Sequence, residues 1–244
     1  LIAKNIIASC GGTQPHDILA GLAITKHNTL EPWMDKVIPS DDFLQLSNEE
    51  IQARVSSDNP KVTIIGGSHS AFSSLDRAAD ALGQCDAQTI TMLHRSPIKL
   101  FFPTTLEAHA AGYTFDEHTD VCPMSGRVNR FSGLRYRARE VATSVLSTGA
   151  MPEQPVQVAL TRTDHVPSDE VTHILDQSDL VVAAIGYQAN IPPVSNEYGT
   201  TLQLQTTPKG LALDPHGQAR ILDGTVLPGF FVLGLGSTLL KRND

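Results

Sequence analysis

Short runs of apolar residues predict buried strands along the chain, and the clearest run is followed at once by a helical pattern. Residues 61–65 predict a parallel strand, residues 66–71 a turn of small residues, residues 72–82 a helix and residues 89–94 a second strand. The apolar positions of the helix recur three or four residues apart, at Phe72, Leu75, Ala78, Ala79 and Leu82. Strand, turn, helix and strand therefore form one βαβ unit between residues 61 and 95.

Further apolar runs predict strands at residues 4–9, 156–160, 180–185 and 229–233, and a helix is predicted over residues 136–146. The wholly apolar run at 180–185 is expected to be buried on both faces. Several of these strands end in glycine or other small residues. Since open α/β sheets bind ligands beyond the carboxyl ends of their strands, the pattern predicts an α/β fold with a ligand at such an edge.

Composition narrows the function classes. The 244 residues are 41% hydrophobic and 18% charged, as in ordinary globular proteins that fold. Because 26 acidic residues outnumber 18 basic ones, for a net charge of −8, the chain has no overall attraction for nucleic acid or anionic membranes. Any anion is therefore expected at a local site, and we expect a small-molecule substrate, with no nucleic acid and no membrane as partner.

The three cysteines, Cys10, Cys85 and Cys122, lie far apart and show no metal-ligand spacing, so a disulfide scaffold, a metal site and a dithiol redox centre are not expected. No apolar run reaches the roughly 18 residues of a membrane span, and nothing resembles a signal peptide, which favours a cytoplasmic location. The sequence starts at Leu1, without Met, inside an apolar run. We therefore expect it to be part of a longer protein.

The turn after the strand at 61–65 matches the dinucleotide pattern G-x-G-x-x-G/A at Gly66, Ser68 and Ala71, with serine in the second glycine position. A serine still allows close approach to phosphate, and the helix that begins near Ser70 supplies free backbone N–H groups. The alternative is a strand-to-helix turn that binds nothing. The predicted cofactor-binding residues of the turn are Gly66, Gly67, Ser68, His69, Ser70 and Ala71.

The end of the second strand, at His94-Arg95-Ser96, distinguishes between the two nicotinamide dinucleotides. NAD sites usually place an acid there for the ribose hydroxyls, whereas an arginine suits the 2′-phosphate of NADP. We therefore predict NADP, with Arg95 as the phosphate ligand. The alternative is that Arg95 is an exposed loop charge without a ligand.

Four short segments, in this order along the chain, resemble flavin-dependent class B monooxygenases, in particular the ornithine and lysine N-hydroxylases. Residues 66–71 are similar to the NADPH-binding turn of that family, and Ala184-Ile185-Gly186-Tyr187 to its A-T-G-Y segment, with isoleucine for threonine. Residues 7–12 resemble the strand end that returns to the flavin domain, and residues 234–240 the closing segment that lines the flavin.

The resemblance implies a doubly wound, Rossmann-like NADP-binding domain together with parts of a second, FAD-binding α/β domain. The expected bounds are residues 1–55 for the flavin-domain return strand and connecting segment, 56–186 for the NADP-binding domain and 187–244 for the C-terminal part of the FAD-binding domain. FAD and NADP are the expected cofactors. The resemblance adds Gly11, Gly12, Gly186, Tyr187, Gly234, Ser237 and Leu239 to the cofactor-binding residues.

The family's first FAD fingerprint, a strand followed by G-x-G-x-x-G, has no match in the sequence. Either an N-terminal FAD-binding segment of the parent chain is missing, or the chain cannot hold FAD by itself. The resemblance implies an oxidoreductase in which hydride passes from NADPH to FAD and O₂ is activated to hydroxylate a small substrate. The alternatives are a flavin reductase with another acceptor and a non-catalytic module that binds a nucleotide or a partner. No catalytic acid or base is predicted.

Five arginines, at positions 127, 130, 135, 137 and 139, form the densest positive cluster in this acidic sequence. They are candidates for binding an anionic substrate or the NADP phosphates. A solvated face whose arginines pair with nearby acids is the equally weighted alternative.

Overall fold

The structure is a computed structural model that describes residues 4–14, 16, 19–55, 59–83, 89–191, 193–207, 210–234 and 237–239. It divides into two compact units. Unit 1 comprises Leu1–Pro15 and Gly186–Asp244, and unit 2 comprises His16–Ile185.

Among the described residues there are fifteen strands, of which unit 1 contributes the first two and the last eight, and unit 2 the other five. The strands are β1 (Ile6–Ala8), β2 (Gly12–Thr13), β3 (Val37–Pro39), β4 (Val62–Ile65), β5 (Thr89–His94), β6 (Gln157–Arg162), β7 (Leu180–Ala183), β8 (Gln188–Ala189), β9 (Val194–Ser195), β10 (Thr201–Leu202), β11 (Thr206–Thr207), β12 (Gly210–Leu213), β13 (Gln218–Arg220), β14 (Val226–Val232) and β15 (Ser237–Leu239).

The α-helices all belong to unit 2, together with a 3-10 helix at Glu31–Lys36. They are α1 (Ser40–Gln45), α2 (Asn48–Arg54), α3 (His69–Leu82), α4 (Thr105–Ala110), α5 (Tyr136–Thr148) and α6 (Ser168–Gln177). The start of α2 shows why a helix forms there. Ser47 and Glu50 make a reciprocal capping box, in which the Ser47 hydroxyl accepts from the Glu50 N–H at 3.2 Å and the Glu50 carboxylate accepts from the Ser47 N–H at 2.7 Å.

The sheet of unit 2 has five parallel strands in the order β3-β7-β4-β5-β6. All four residues of β4 and all four of β7 are buried. Alternate residues of β7 face opposite sides, since Leu180 and Val182 belong to the cluster with α1, α2, α3 and α5, whereas Val181 and Ala183 belong to the cluster with Trp33 and α6. Helices therefore cover both faces, as expected for a doubly wound sheet.

The predicted α/β fold is confirmed, and most predicted elements of unit 2 match the structure closely. The strand predicted at 89–94 coincides with β5, and that at 61–65 with β4 to within one residue. The predicted helices begin or end slightly differently, because α3 starts three residues earlier, at His69, and α5 extends to Thr148. The five apolar positions predicted for α3 are each at most 1% exposed.

Unit 1 is built almost entirely from strands, and its described residues contain no α-helix. Its main sheet has the order β1-β14-β13-β12-β11, with β15 pairing in parallel with β12 and β1 in parallel with β14. The core of this unit consists of Ala8, Leu211, Leu213, Ala219, Phe230 and Val232.

The strand predicted at residues 4–9 is present as β1, but the expectation that it is buried is wrong for most of it. Ile6 is 52% exposed and Ile7 is 65% exposed. Successive residues of a strand point to opposite faces, so both faces of β1 are open. The physical reason is its position, since β1 is the end strand of the described sheet. The side chains of a neighbouring strand therefore flank Ile6 and Ile7 on one side alone.

The compact units place residues 16–55 differently from the predicted domain bounds. The expected bounds place them with the flavin-domain return strand and connecting segment, whereas in the structure they group with unit 2. The parallel pairing of β3 with β7 and the complete burial of Phe43 and Ile51 in the α3 core hold them there. Their polar, mixed sequence and short helices and strands show no clear periodicity, so the sequence did not predict that they pack in the core of unit 2. Of the described helices, none is long and apolar enough to cross a membrane.

Replacing Phe43 by alanine tests this assignment. Phe43 is fully buried, so Phe43→Ala should lower the free energy of unfolding of unit 2 by about 3–5 kcal/mol through lost contacts and a cavity. Leu106→Ala is the control, because Leu106 is 77% exposed and its truncation should change that free energy by less than about 0.5 kcal/mol. Urea unfolding followed by the fluorescence of Trp33, the single tryptophan, gives both values. A loss below about 1 kcal/mol for Phe43→Ala would contradict the assignment.

Candidate functional site

The order of the strands in unit 2 creates a crevice between β4 and β7. From β4 the chain continues to β5 and then β6 on one side of β4, with α3 and α5 on one face of the sheet. It then crosses to the other face through α6 and returns to β7 on the other side of β4. The carboxyl ends of β4 and β7 thus flank a topological switch point, where doubly wound sheets bind their ligands.

Gly66 follows β4 at this switch point and is held against β7. Its φ is +142°, and a Cβ added to it would lie 2.5 Å from the carbonyl oxygen of Ala184. Its own N–H donates to the Leu93 carbonyl at 2.8 Å, and the Ala184 N–H donates to the Ile65 carbonyl at 2.8 Å. The backbones of β4, β5 and β7 therefore meet around a position that only glycine can occupy.

Gly67 is the second residue of the turn and packs against the end of β5. A Cβ on Gly67 would lie 3.2 Å from the Cβ of His94. His94 is 9% exposed, and its Nδ1 lies 2.9 Å from the carbonyl oxygen of Ser96, which fixes the ring. The turn and the end of β5 are consequently direct neighbours, as the predicted site requires.

The first turn of α3 supplies unpaired backbone donors at the same place. Ser68 is the N-cap, its side chain makes no capping hydrogen bond, and the first turn contains no acid. The first intrahelical hydrogen bond runs from the Phe72 N–H to the Ser68 carbonyl at 3.1 Å. The N–H groups that precede Phe72 in the helix have no intrahelical acceptor, and with the helix dipole they favour an anion.

Arg95 leaves the end of β5 with an exposed side chain. Within the described part of the chain its guanidinium makes no hydrogen bond or ion pair. Its position after β5, next to the turn that contains Gly67, is the one predicted for a ligand of the 2′-phosphate. Gly66 to Ala71 and Arg95 are thus brought together in unit 2, which fits the pyrophosphate and 2′-phosphate of a dinucleotide.

His69 connects this turn to α5, a contact that the sequence did not indicate. The backbone N–H of Arg135, the N-cap of α5, donates to Nε2 of His69 at 3.1 Å. Partial burial, and then the positive charge of Arg135, lower the pKa of His69. The ring is therefore neutral with its proton on Nδ1, and the N-termini of α3 and α5 lie side by side.

Cys122 is a second residue whose chemistry the sequence did not reveal. Hydrogen bonds from the Ser125 side chain, and then from Arg130, lower its pKa from 9.0 to about 6, and Nη1 of Arg130 lies 3.4 Å from its sulfur. The thiolate is therefore the main form at neutral pH. The three residues lie within one irregular loop, which has no periodic pattern to detect.

The other predicted cofactor residues lie in unit 1, at its strand ends. Gly12 pairs with Ala189 in the β2–β8 ladder, and the Asn190 N–H donates to the Gly11 carbonyl at 3.1 Å, so residues 11–12 lie beside the segment that follows Gly186. Tyr187 is 39% exposed.

Gly234 follows β14 at the same edge of unit 1, and the N–H of the preceding Leu233 donates to the Ala8 carbonyl of the parallel β1. Ser237 and Leu239 belong to β15, which pairs with β12. Residues 235, 236 and 240 of the predicted closing segment lie outside the described residues.

The described residues of unit 1 do not by themselves supply a dinucleotide site for FAD. A dinucleotide fold binds the pyrophosphate at a helix N-terminus, and the described residues of this unit form strands and turns without an α-helix. Nor do the described residues of either unit bring together three potential metal ligands of the His, Cys, Asp or Glu type.

A comparison with known proteins relates the chain to an oxidoreductase of the hydroxylating kind. The chain is 32% identical, over 188 residues, to a CMP-5'-(3-aminopropyl)phosphonate hydroxylase of Streptomyces rubellomurinus. The chain is thus a sequence relative of a hydroxylase. The match covers 75% of this chain and 42% of the relative, so the chain spans less than half of that protein's length. The predicted resemblance to hydroxylating enzymes is confirmed.

Two further comparisons add less. No protein-family model matches the chain. Among solved structures, an L-lysine 6-monooxygenase from Pseudomonas syringae has a TM-score of 0.43 and 16% sequence identity, covering 95% of this chain and 57% of that one.

Substituting Gly66 tests the close approach at the switch point. Gly66→Ala should lower the free energy of unfolding of unit 2 by at least about 3 kcal/mol, because the new Cβ meets the Ala184 carbonyl and φ is in a glycine-only region. Gly112→Ala is the matched control, since Gly112 also has a positive φ, +66°, but open space around its Cβ, and should cost about 1 kcal/mol. Equal losses in urea unfolding would show that the contact with Ala184 is not tight.

Proposed function

We propose that unit 2 binds NADPH and that the protein is an NADPH-dependent hydroxylating oxidoreductase. The observation that carries this proposal is the turn from Gly66 to Ala71, which lies at the topological switch point and opens into α3. In this position the pyrophosphate of a dinucleotide would accept hydrogen bonds from the free N–H groups of the helix start. Gly66 and Gly67 allow the backbone to approach it closely.

Arg95 selects NADPH over NADH in this proposal. Its guanidinium is exposed beside the turn and has no acid near enough to pair with among the described residues. A 2′-phosphate placed there would accept two parallel hydrogen bonds from it. NADH lacks that phosphate, so the same arginine would contribute little to its binding.

The hydroxylation part of the proposal draws its support from the Streptomyces relative, whose name describes a hydroxylase acting on a substrate that carries an amine and a phosphonate. By analogy, we propose that this protein hydroxylates a small substrate with similar polar groups. A reductase that passes electrons to another acceptor lacks comparable support from the relative.

The flavin implied by the family resemblance is proposed to bind with further α/β structure rather than on unit 1 alone. The open edge of β1, with Ile6 and Ile7 exposed on opposite faces, is where such structure would pair. Parallel strands are normally covered on both faces, and an exposed apolar edge strand is a template for pairing with another strand. Both properties of β1 favour contact with further α/β structure.

Replacing Arg95 tests the choice of cofactor. Arg95→Gln should raise the Kd for NADPH about tenfold or more, by removing a charge-assisted contact, and leave the Kd for NADH nearly unchanged. The matched control is Arg54→Gln, which removes one exposed arginine at the end of α2. Its neighbour Gln52 donates to the Ala81 carbonyl in the last turn of α3, about 20 Å along that helix from the turn that contains Gly67. Calorimetric titrations of the unsubstituted chain and of both variants, each with NADPH and with NADH, give the six constants. Equal affinity of the unsubstituted chain for NADH and NADPH would rule out the role given to Arg95.

The oxidoreductase part has a separate test. The intact protein is expected to contain flavin after purification and to oxidise NADPH with formation of a hydroxylated product. Absence of flavin would contradict the oxidoreductase, and NADPH oxidation that yields hydrogen peroxide alone would favour a reductase. Both measurements are independent of the affinities measured for Arg95→Gln.

A further inference from the structure

Three arginines lack a carboxylate partner within the described residues: Arg130 in the loop before α5, Arg135 at its N-cap and Arg139 in its first turn. They are here called the α5 arginine cluster. Arg137, in the same stretch, is different. It makes a bidentate pair with Asp76, at 3.0–3.3 Å, and lies 3.7 Å from Glu140. The alternative of a solvated, acid-paired face therefore holds for Arg137 but not for the cluster.

Aromatic rings hold the guanidinium groups of the cluster in place. Arg135 lies 4.0 Å above the centroid of Phe101 and Arg139 lies 4.2 Å above that of Phe102. Arg130 lies 4.9 Å from the centroid of Phe131. Stacking orients the flat face of a guanidinium and directs its N–H edge sideways. One N–H group of Arg135 donates to the Arg130 carbonyl and one of Arg130 donates to the Cys122 sulfur, which leaves the other N–H groups of the cluster for an acceptor.

The start of α5 concentrates positive charge, and the Cys122 thiolate beside Arg130 offsets only part of it. The helix has no acid in its first turn and no side-chain cap. Arg135 and Arg139 lie one turn apart, since the Arg139 N–H donates to the Arg135 carbonyl at 3.3 Å. The N-terminal end of a helix disfavours cations, and all three arginines are partly buried. An arrangement of this kind is costly unless an anion binds to it.

Two titratable side chains contact the cluster, one through the charge of Arg135 and the other through a hydrogen bond from Arg130. The charge of Arg135 contributes to the lowered pKa of His69, and Arg130 contributes to the pKa of about 6 of Cys122. The two side chains lie on different elements, and each contacts a different member of the cluster. Both effects are those expected near a site built for negative charge.

We propose that the α5 arginine cluster binds a phosphate or phosphonate group. Guanidinium groups match the oxygen geometry of such groups, and the free N–H groups at the start of α5 add further donors. The group has two possible sources. Because Arg135 contacts His69 in the first turn of α3, one source is the cofactor's pyrophosphate, and the other is a phosphate or phosphonate on the substrate. The choice of these sources rests on the proposed function, whereas the anion site does not.

The first test measures the binding of inorganic phosphate, NADH and NADPH by calorimetry at low ionic strength. Arg135→Gln and Arg139→Gln should each weaken phosphate binding about tenfold or more, while Arg54→Gln changes it less than about twofold. If the source is the pyrophosphate, the two cluster variants weaken NADH and NADPH equally, unlike Arg95→Gln, which acts on NADPH. If the source is the substrate, both dinucleotides keep their affinity. Phosphate binding that is unchanged in both cluster variants would overturn the proposal.

The second test uses the unsubstituted protein, in case the variants fail to fold. Phosphate bound near Arg130 should raise the pKa of Cys122 and slow its alkylation at pH 7 severalfold, as quantified by mass spectrometry of the peptide that contains Cys122. Chloride at equal ionic strength is the control for screening. Equal rates in phosphate and chloride would overturn the proposal. Protection by phosphate in a protein that binds no NADPH would retain the anion site while rejecting the proposed function.

Discussion

The contact between Gly66 and the carbonyl group of Ala184 is the constraint on which the site of unit 2 depends. It fixes the carboxyl ends of β4 and β7 against each other at the point where the sheet reverses its strand order. Because the chain turns there without a side chain, α3 can start at His69 and direct its free N–H groups into the crevice. The neighbouring Gly67 brings the end of β5, and with it Arg95, to the same place.

Charge is distributed in a way that matches this geometry. The chain is acidic overall, so anions are attracted only where cations are left unpaired. In unit 2, Arg95 and the α5 arginine cluster have no carboxylate partner among the described residues, and Arg135 of the cluster contacts His69 in the first turn of α3. Arg137 shows the contrast, because its pairing with Asp76 neutralises it and ties α5 to α3. A dinucleotide and a second phosphate-bearing group would meet compatible surfaces on the same unit.

Unit 1 differs from unit 2 in its secondary structure. Its strands hold the glycine-containing segments at residues 11–12 and 186–187 next to each other, but its described part provides no helix N-terminus. The exposed β1 is an edge with two open apolar faces. In the proposed function, these features assign the dinucleotide to unit 2 alone.

The sequence by itself determined the βαβ unit, since strand and helix periodicities and small turn residues are local patterns, and β4, α3 and β5 match them closely. It also determined the position of Arg95. Only the tertiary structure decided that residues 16–55 join unit 2, that β1 is exposed, and that His69 meets Arg135 across 66 positions. Burial, strand neighbours and ion pairing depend on which distant segments pack together, and a local sequence pattern does not specify those long-range contacts.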